Sequence, residues 1–310
     1  MITTVTLNPA IDKTIILDNV DLGQVHRIKK VIETVGGKGI NVSKVLNFFN
    51  ADSVAFGVFG RDNLEFFLHY LNNNGIKHSY IEVDGTTRTN VKMIETKHQR
   101  TTDLNEPGIE LTKYDVDKIT TQIVDISKTS DYVVLSGSLP VGVNDKYYAE
   151  VISEIKQNTK VVLDAYGATL KFGVEAGADI IKPNKQELEQ AFDVCLNSIG
   201  ECIDFCLKLI RNNRLDTVLL TLGQSGALHI TKKDIFKSKP INVNVENTVG
   251  AGDSFLGGYL AGKARALSDK EAFKIAITCG TLAVMQKGTD IFKASEFDNM
   301  IKKAHVFEYE

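Results

Sequence analysis

The sequence predicts an α/β protein with a mostly parallel central sheet and a smaller sheet standing apart from it. Three observations lead there. Short β-branched runs alternate with helix-length amphipathic stretches, the pattern of βαβ units. Two segments, Lys13–Val35 and Arg88–Asn105, break that rhythm and alternate with period two. The chain of 310 residues, 43% hydrophobic and 24% charged, is long enough for one large core with an appendage.

In order along the chain, SVAFGVFG (53–60) is a strand before the helical NLEFFLHYLNNNG, and DYVVLSG (131–137) is a strand before NDKYYAEVISEIKQ. KVVLDA (160–165) and DIIKPN (179–184) follow as strands, the second leading into KQELEQAF, and TVLLTLG (217–223) is the last of the series. From about Leu111 onward the alternation is regular. In such sheets ligands sit beyond the carboxyl ends of the strands, and LSGSLP, KPN, TLG and GAGD all fall there. The two irregular regions, about 12–35 and 88–105, are expected to pair as a small antiparallel sheet that covers the site as a lid. Its apolar face needs cover from the main body or a second subunit, so a homodimer joined through the lid is expected.

Composition excludes several classes. A net charge of −3 and a pI near 6.1 supply no basic field for nucleic acid or an anionic membrane. The opening MITTVTLNPAIDKTIILD has no basic start and is interrupted by Pro9, Asp12 and Lys13, so it does not read as a signal peptide. The longest apolar run, Ile275–Met285, is too short to span a bilayer. A cytoplasmic protein is expected. Cys195, Cys202, Cys206 and Cys279 form no C-x-x-C pair and read as buried thiols, and the six histidines are scattered. No zinc site built by the protein is expected.

The stretch NTVGAGDSFLGG (247–258) poses the sharpest question. Gly250, Ala251 and Gly252 leave the backbone bare before a helix, whose N-terminus attracts anions. Asp253 then puts an acid where negative charge is to be bound. It is either a helix-capping acid or a residue with a chemical task. TVGGKGINVSKV (34–45) is a glycine-rich turn into a helix, either a plain turn or a close approach to a small polar ligand with Asn41 as donor and acceptor. It is not a Walker A motif, because Ile32 stands where the first glycine belongs and Gly39 follows Lys38. Nor does Gly250-x-Gly252 continue as a dinucleotide fingerprint, since Phe255 takes the third glycine's place. Asn184 and Glu187 have capping-box spacing, yet sit at the ligand edge where a carboxylate could orient magnesium-bound water. TLGQSG (221–226) reads equally as a hairpin turn or a phosphate and ribose contact.

The order of these stretches, LNPAID, GGKGIN, TRTN, SGSLP, KPN, TLGQSG and NTVGAGDS, resembles the PfkB (ribokinase-like) family of sugar kinases over essentially the whole chain. The pairing of GGKGIN with TVGAGDSF is the specific part. The resemblance implies a single domain, 1–310, with a ribokinase-like three-layer α/β/α fold and a β-sheet lid, using ATP and Mg2+. It implies that Asp253 accepts the proton of a sugar hydroxyl beside an anion hole of Gly250, Ala251 and Gly252. Phosphoryl transfer passes through a loose transition state, so an ordinary low pKa at Asp253 is expected to suffice. By the same likeness Asp12, Gly37, Lys38, Asn41, Asn90 and Ser138 bind sugar, and Arg27 and Arg88 bind a phosphate already on it. Lys182, Asn184, Glu187, Thr221, Gly223 and Gly226 line ATP, with Glu187 acting on magnesium through water. The implied substrate is a phosphorylated ketohexose, fructose 1-phosphate first and tagatose 6-phosphate the alternative. A kinase of an unphosphorylated sugar or nucleoside, and a non-catalytic binding protein, share the same motifs.

Overall fold

Strand Ile2–Thr6 (β1) is buried at all five residues, because in the computed structural model it lies inside the larger sheet with helices on both faces. The structure describes every residue from 1 to 309 except 287 and 290. After β1 the chain leaves the sheet for Ala10–Leu17 (β2) and Lys30–Gly36 (β3). It returns through helix Lys38–Phe48 (α1), Ser53–Gly60 (β4), helix Leu64–Asn73 (α2) and His78–Val83 (β5), then leaves again for Thr89–Glu95 (β6) and Arg100–Asn105 (β7). Regular alternation follows: Lys113–Ser127 (α3), Tyr132–Ser136 (β8), Tyr147–Ile155 (α4), Lys160–Asp164 (β9), Gly167–Ala176 (α5) and Ile180–Ile181 (β10). Helices Lys185–Phe192 (α6) and Ile199–Asn212 (α7) lead to Thr217–Thr221 (β11), Ala227–Thr231 (β12) and Ile235–Ser238 (β13). The chain closes with Ala251–Ala264 (α8), Asp269–Ala283 (α9), Ala294–Met300 (α10) and Val306–Glu308 (β14).

The larger sheet runs β14-β13-β12-β11-β10-β9-β8-β1-β4-β5 and is parallel from β11 to β5. Alternate residues of each strand serve opposite layers. Val133 and Leu135 pack with Ile119 and Ile123 of α3 and Tyr148 and Val151 of α4, whereas Val134, Val162 and Leu219 pack with Val42 of α1 and Leu256 and Leu260 of α8. Covered on both faces, most of these strands are largely apolar, with the buried threonines of β1 the exception. Capping boxes at Thr112 and Asp115, Asn184 and Glu187, and Ser268 and Glu271 start α3, α6 and α9 and satisfy end groups that would otherwise be orphaned. No helix among the described residues is long and apolar enough to cross a membrane, and the run Ile275–Met285 belongs largely to the buried face of α9.

The smaller sheet corrects one expectation. Its order is β3-β2-β6-β7, and β2 pairs with β6 in parallel, so the sheet is mixed and not antiparallel. Each hairpin leaves the large sheet after a parallel strand, β1 or β5, so the two leading strands run the same way. A second correction concerns the thiols: Cys202, Cys206 and Cys279 are buried, but Cys195 is exposed in the connection after α6.

One polar group lies deep in the core. His229 on β12 is fully buried; its Nε2 lies 3.1 Å from the Tyr259 hydroxyl, while Nδ1 has no partner among the described residues. Burial pushes its pKa down from 6.5 to about 4. The unfolded chain therefore binds a proton that the folded one refuses, and stability falls as pH drops from 6.5 towards 4. We expect urea unfolding to show His229→Phe losing about 3 kcal/mol less than the parent between pH 7 and pH 4. Parallel pH profiles for the two proteins would contradict a buried neutral imidazole.

Candidate active site

The carboxyl ends of β1 and β8 and the N-terminus of α8 face one cavity of about 640 Å3, roofed on one side by the small sheet. Most of the residues lining it carry polar side chains. Ser136, Gly137 and Ser138 come from the end of β8, Thr6 and Asn8 from β1, and Gly37, Lys38 and Asn41 from the start of α1. Gly250 and Asp253 come from the head of α8, and Asp12, Arg88 and Asn90 from the roof.

Local sequence explains the close approaches. A Cβ at Gly36 would sit 2.0 Å from Asp12 Oδ2, and one at Gly39 would sit 2.9 Å from the carbonyl oxygen of Val5. The glycines of GGKG therefore make room for Asp12 and let α1 lie directly on β1. Gly250 caps α8 with φ of 79°, a left-handed conformation that side chains rarely adopt. The bare turn is thus required by backbone geometry and opens the helix end, where N–H groups lack intrahelical partners.

Asp253 on the first turn of α8 is buried, and its Oδ2 accepts a 2.8 Å hydrogen bond from Asn41 Nδ2. Burial raises its pKa and the nearby charge of Asp164 raises it further, while Lys38, the Asn41 bond and Lys182 oppose the rise. An ordinary low pKa was expected to suffice at Asp253; the pKa is instead raised because the acid sits in a desolvated place, which the sequence did not reveal. Asp164, at the end of β9, is fully buried and holds two ammonium groups on one oxygen, Lys38 Nζ at 2.9 Å and Lys182 Nζ at 3.4 Å from Oδ1. Burial alone would push its pKa up, but Lys182 and Lys38 hold it low. Burial likewise works against charge on Lys38, and Asp164, Asp253 and Glu187 together keep its pKa raised.

In the roof, Asp12 Oδ1 accepts from Asn90 Nδ2 at 3.2 Å, and burial raises the Asp12 pKa. Arg88 donates from Nε, Nη1 and Nη2 to the carbonyl oxygens of Pro9, Glu106 and Asn8 at 3.3, 3.0 and 3.0 Å. Of its five N–H groups this leaves one on each terminal nitrogen for a ligand. Thr6 Oγ1, Ser136 Oγ and Asn90 Oδ1, all on residues lining the cavity, have no hydrogen-bond partner among the described residues. A ligand rich in hydroxyls suits them.

The structure brings most of the anticipated residues together. Asp12, Gly37, Lys38, Asn41, Arg88, Asn90, Ser138, Gly250 and Asp253 line the cavity, with Ala251 and Gly252 in the same helical turn. Lys182 touches that turn, since a Cβ at Gly252 would lie 3.0 Å from its Nζ. Asn184, Glu187, Thr221, Gly223 and Gly226 do not line the cavity; they form a neighbouring strip in which Asn184 bridges to Thr221. There Glu187 completes the capping box, Oε2 accepting from the Asn184 N–H at 2.8 Å, and TLGQSG is the turn between antiparallel β11 and β12. Arg27 is not in the cavity: it lies on the exposed loop between β2 and β3. Sequence reasoning missed Asp164, although an acid ending the strand KVVLDA at the ligand edge was a readable signal. It also missed Lys92 and Asp103, paired at 2.8 Å in the roof, which only strand register brings together.

A bare helix N-terminus facing a polar cavity, with a buried acid on its first turn and two ammonium groups beside it, has the parts of a phosphoryl-transfer site. The chain belongs to the pfkB family of carbohydrate kinases, whose model matches residues 5–295. It is 33% identical to the 1-phosphofructokinase of Haemophilus influenzae, covering 98% of this chain and 97% of that one. It is 30% identical to a tagatose-6-phosphate kinase of Staphylococcus epidermidis, over 99% of this chain and 100% of that one. The crystal structure of a candidate phosphofructokinase from Staphylococcus aureus superposes with a TM-score of 0.86 at 32% identity, covering 100% of this chain and 99% of that one. The fold is therefore that of the family, with a large mostly parallel sheet and a smaller one.

Proposed function

We propose that the protein transfers the γ-phosphoryl group of ATP to a hydroxyl of a phosphorylated ketohexose, and that fructose 1-phosphate, converted to fructose 1,6-bisphosphate, is the substrate. The choice of sugar rests on the likeness to 1-phosphofructokinases, with tagatose 6-phosphate as the second reading. The observation that carries the chemistry is Asp253, a buried acid held by Asn41 on the open first turn of α8. In this reading the sugar lies between Asp12, Asn90 and Lys38, and its hydroxyl meets Asp253. The N–H groups at Ala251 and Gly252 face the moving phosphoryl group, where a helix N-terminus favours negative charge. Lys38 and Lys182 add positive charge nearby. Asp253 takes the proton late, once the hydroxyl has become acidic, so it need only be ionised and correctly aimed. The remaining N–H groups of Arg88 suit a phosphate on the sugar.

ATP lies, on this account, along the strip from Lys182 and Asn184 to Thr221, Gly223 and Gly226. Glu187 fits a magnesium ion: the capping box engages Oε2, leaving Oε1 to accept from metal-bound water. Magnesium would neutralise phosphate charge there. The chain acts in this reading as one catalytic unit in the cytoplasm, its small sheet serving as the lid.

The lid also supports a dimer. Leu22 and Val25 on its loop are 96% and 97% exposed, and Val31 and Leu104 lie open on the sheet face opposite Asp12. Apolar surface of this kind asks for cover.

Two results test these statements. Asp253→Asn keeps the shape and hydrogen-bonding reach of the side chain but not its basicity, so kcat should fall roughly a thousandfold with little change in unfolding midpoint. Near-normal turnover would reduce Asp253 to a helix cap. Light scattering at assay concentration should give twice the mass of the 34.1 kDa chain, and a monomer would remove the lid interface.

A further inference from the structure

Behind the cavity wall lies a lysine that neither the motifs nor the proposed chemistry uses. Lys44, one turn after Asn41 on α1, is 7% exposed and is not among the residues lining the cavity. Its ammonium donates to the carbonyl oxygen of Val35 at 2.8 Å, to Asn41 Oδ1 at 3.1 Å, and to Thr289 Oγ1 at 3.1 Å. Burying an ammonium is costly unless its hydrogens are satisfied, so a reason for placing it there is called for. The partner at Asn41 supplies one.

We propose that Lys44 is a positioning residue for the phosphoryl transfer, one that holds the Asn41 amide in the single orientation that aims Asp253. The argument rests on donor chemistry. An ammonium only donates, and an ionised carboxylate only accepts. Set between Lys44 on one side and Asp253 on the other, the amide has one satisfactory arrangement, Oδ1 towards Lys44 and Nδ2 towards Asp253 Oδ2, the one observed. Without the ammonium the amide can turn over, presenting its oxygen to the carboxylate. That face suits only a protonated Asp253, and a protonated acid cannot take the hydroxyl proton. The same ammonium ties the end of lid strand β3, at Val35, to this relay.

The inference depends on the reading of Asp253 as the base, and the variants separate the two. Lys44→Met removes the charge at similar length. With ATP and fructose 1-phosphate as substrates, kcat should fall on the order of ten- to a hundredfold while KM for both stays within about twofold, because Lys44 does not reach the cavity and a charge-assisted bond of this kind carries an effect of that size. Lys44→Gln, whose neutral amide can accept as well as donate and so no longer fixes which face Asn41 presents, gives the same comparison if the methionine variant does not fold. In a double-mutant cycle, Asn41→Ala combined with the Lys44 variant should lose no more than Asn41→Ala alone, since the lysine acts through the amide. A merely structural lysine would lower the unfolding midpoint, leave kcat per folded molecule at the parental value and add independently to Asn41→Ala; that outcome overturns the proposal. Parental turnover in Asp253→Asn overturns the base assignment itself, whereas an inactive Asp253→Asn beside a fully active Lys44 variant overturns only the role of Lys44.

Discussion

One buried carboxylate oxygen shared by two ammonium groups sets the electrostatics of this molecule's site. Asp164 Oδ1 holds Lys38 and Lys182 where β9, β10 and α1 converge, and all three groups lie beside the open end of α8. Such a cluster is a poor device for stability, because removing charges from water costs about as much as their attraction returns. It is a good device for fixing two positive charges without letting them drift. The second ammonium faces Asp253, and the charge of Glu187 also reaches Lys38. Asp253 feels the same cluster from the other side: burial and Asp164 raise its pKa, and the lysines and Asn41 oppose that rise. The low pKa of Asp164 and part of the shift at Asp253 thus come from the same cluster.

Much of this was legible in the sequence, for reasons that differ between residues. The strands ending in LSGSLP, KPN and TLG could be read because strands covered on both faces are apolar, and their ends then fall on one edge by topology. The capping box of Asn184 and Glu187 could be read because it is local, three residues apart. What escaped the sequence depends on distance in the chain. The parallel pairing of β2 with β6 and the raised pKa of Asp253 arise from groups far apart in the chain, and even the Lys92 and Asp103 contact depends on the hairpin's register. Arg27 has the right chemistry for a phosphate, but its place on an exposed loop is decided by where the β2–β3 hairpin turns.

The small sheet carries the remaining constraint. Its cavity side presents Asp12, Asn90 and Lys92, and its hairpins are rooted at Arg88, whose guanidinium ties together the backbone at Asn8, Pro9 and Glu106. That anchoring gives Arg88 two duties. It holds the roof to the main sheet, and it offers its last N–H groups to whatever lies beneath. A cation fixed in this way discriminates by charge without having to reorganise when a phosphate arrives.

The central claim is that this cavity accepts a sugar already bearing a phosphate and presents a hydroxyl of it to Asp253. The direct measurement is ADP formation by the unaltered protein with fructose 1-phosphate, tagatose 6-phosphate and fructose 6-phosphate, set against free fructose and ribose. The account predicts turnover with a phosphosugar, fructose 1-phosphate foremost, at a kcat/KM exceeding that of the free sugars by about tenfold or more, the size of one charge-assisted contact. Free fructose or ribose turned over as efficiently as any phosphosugar would contradict it.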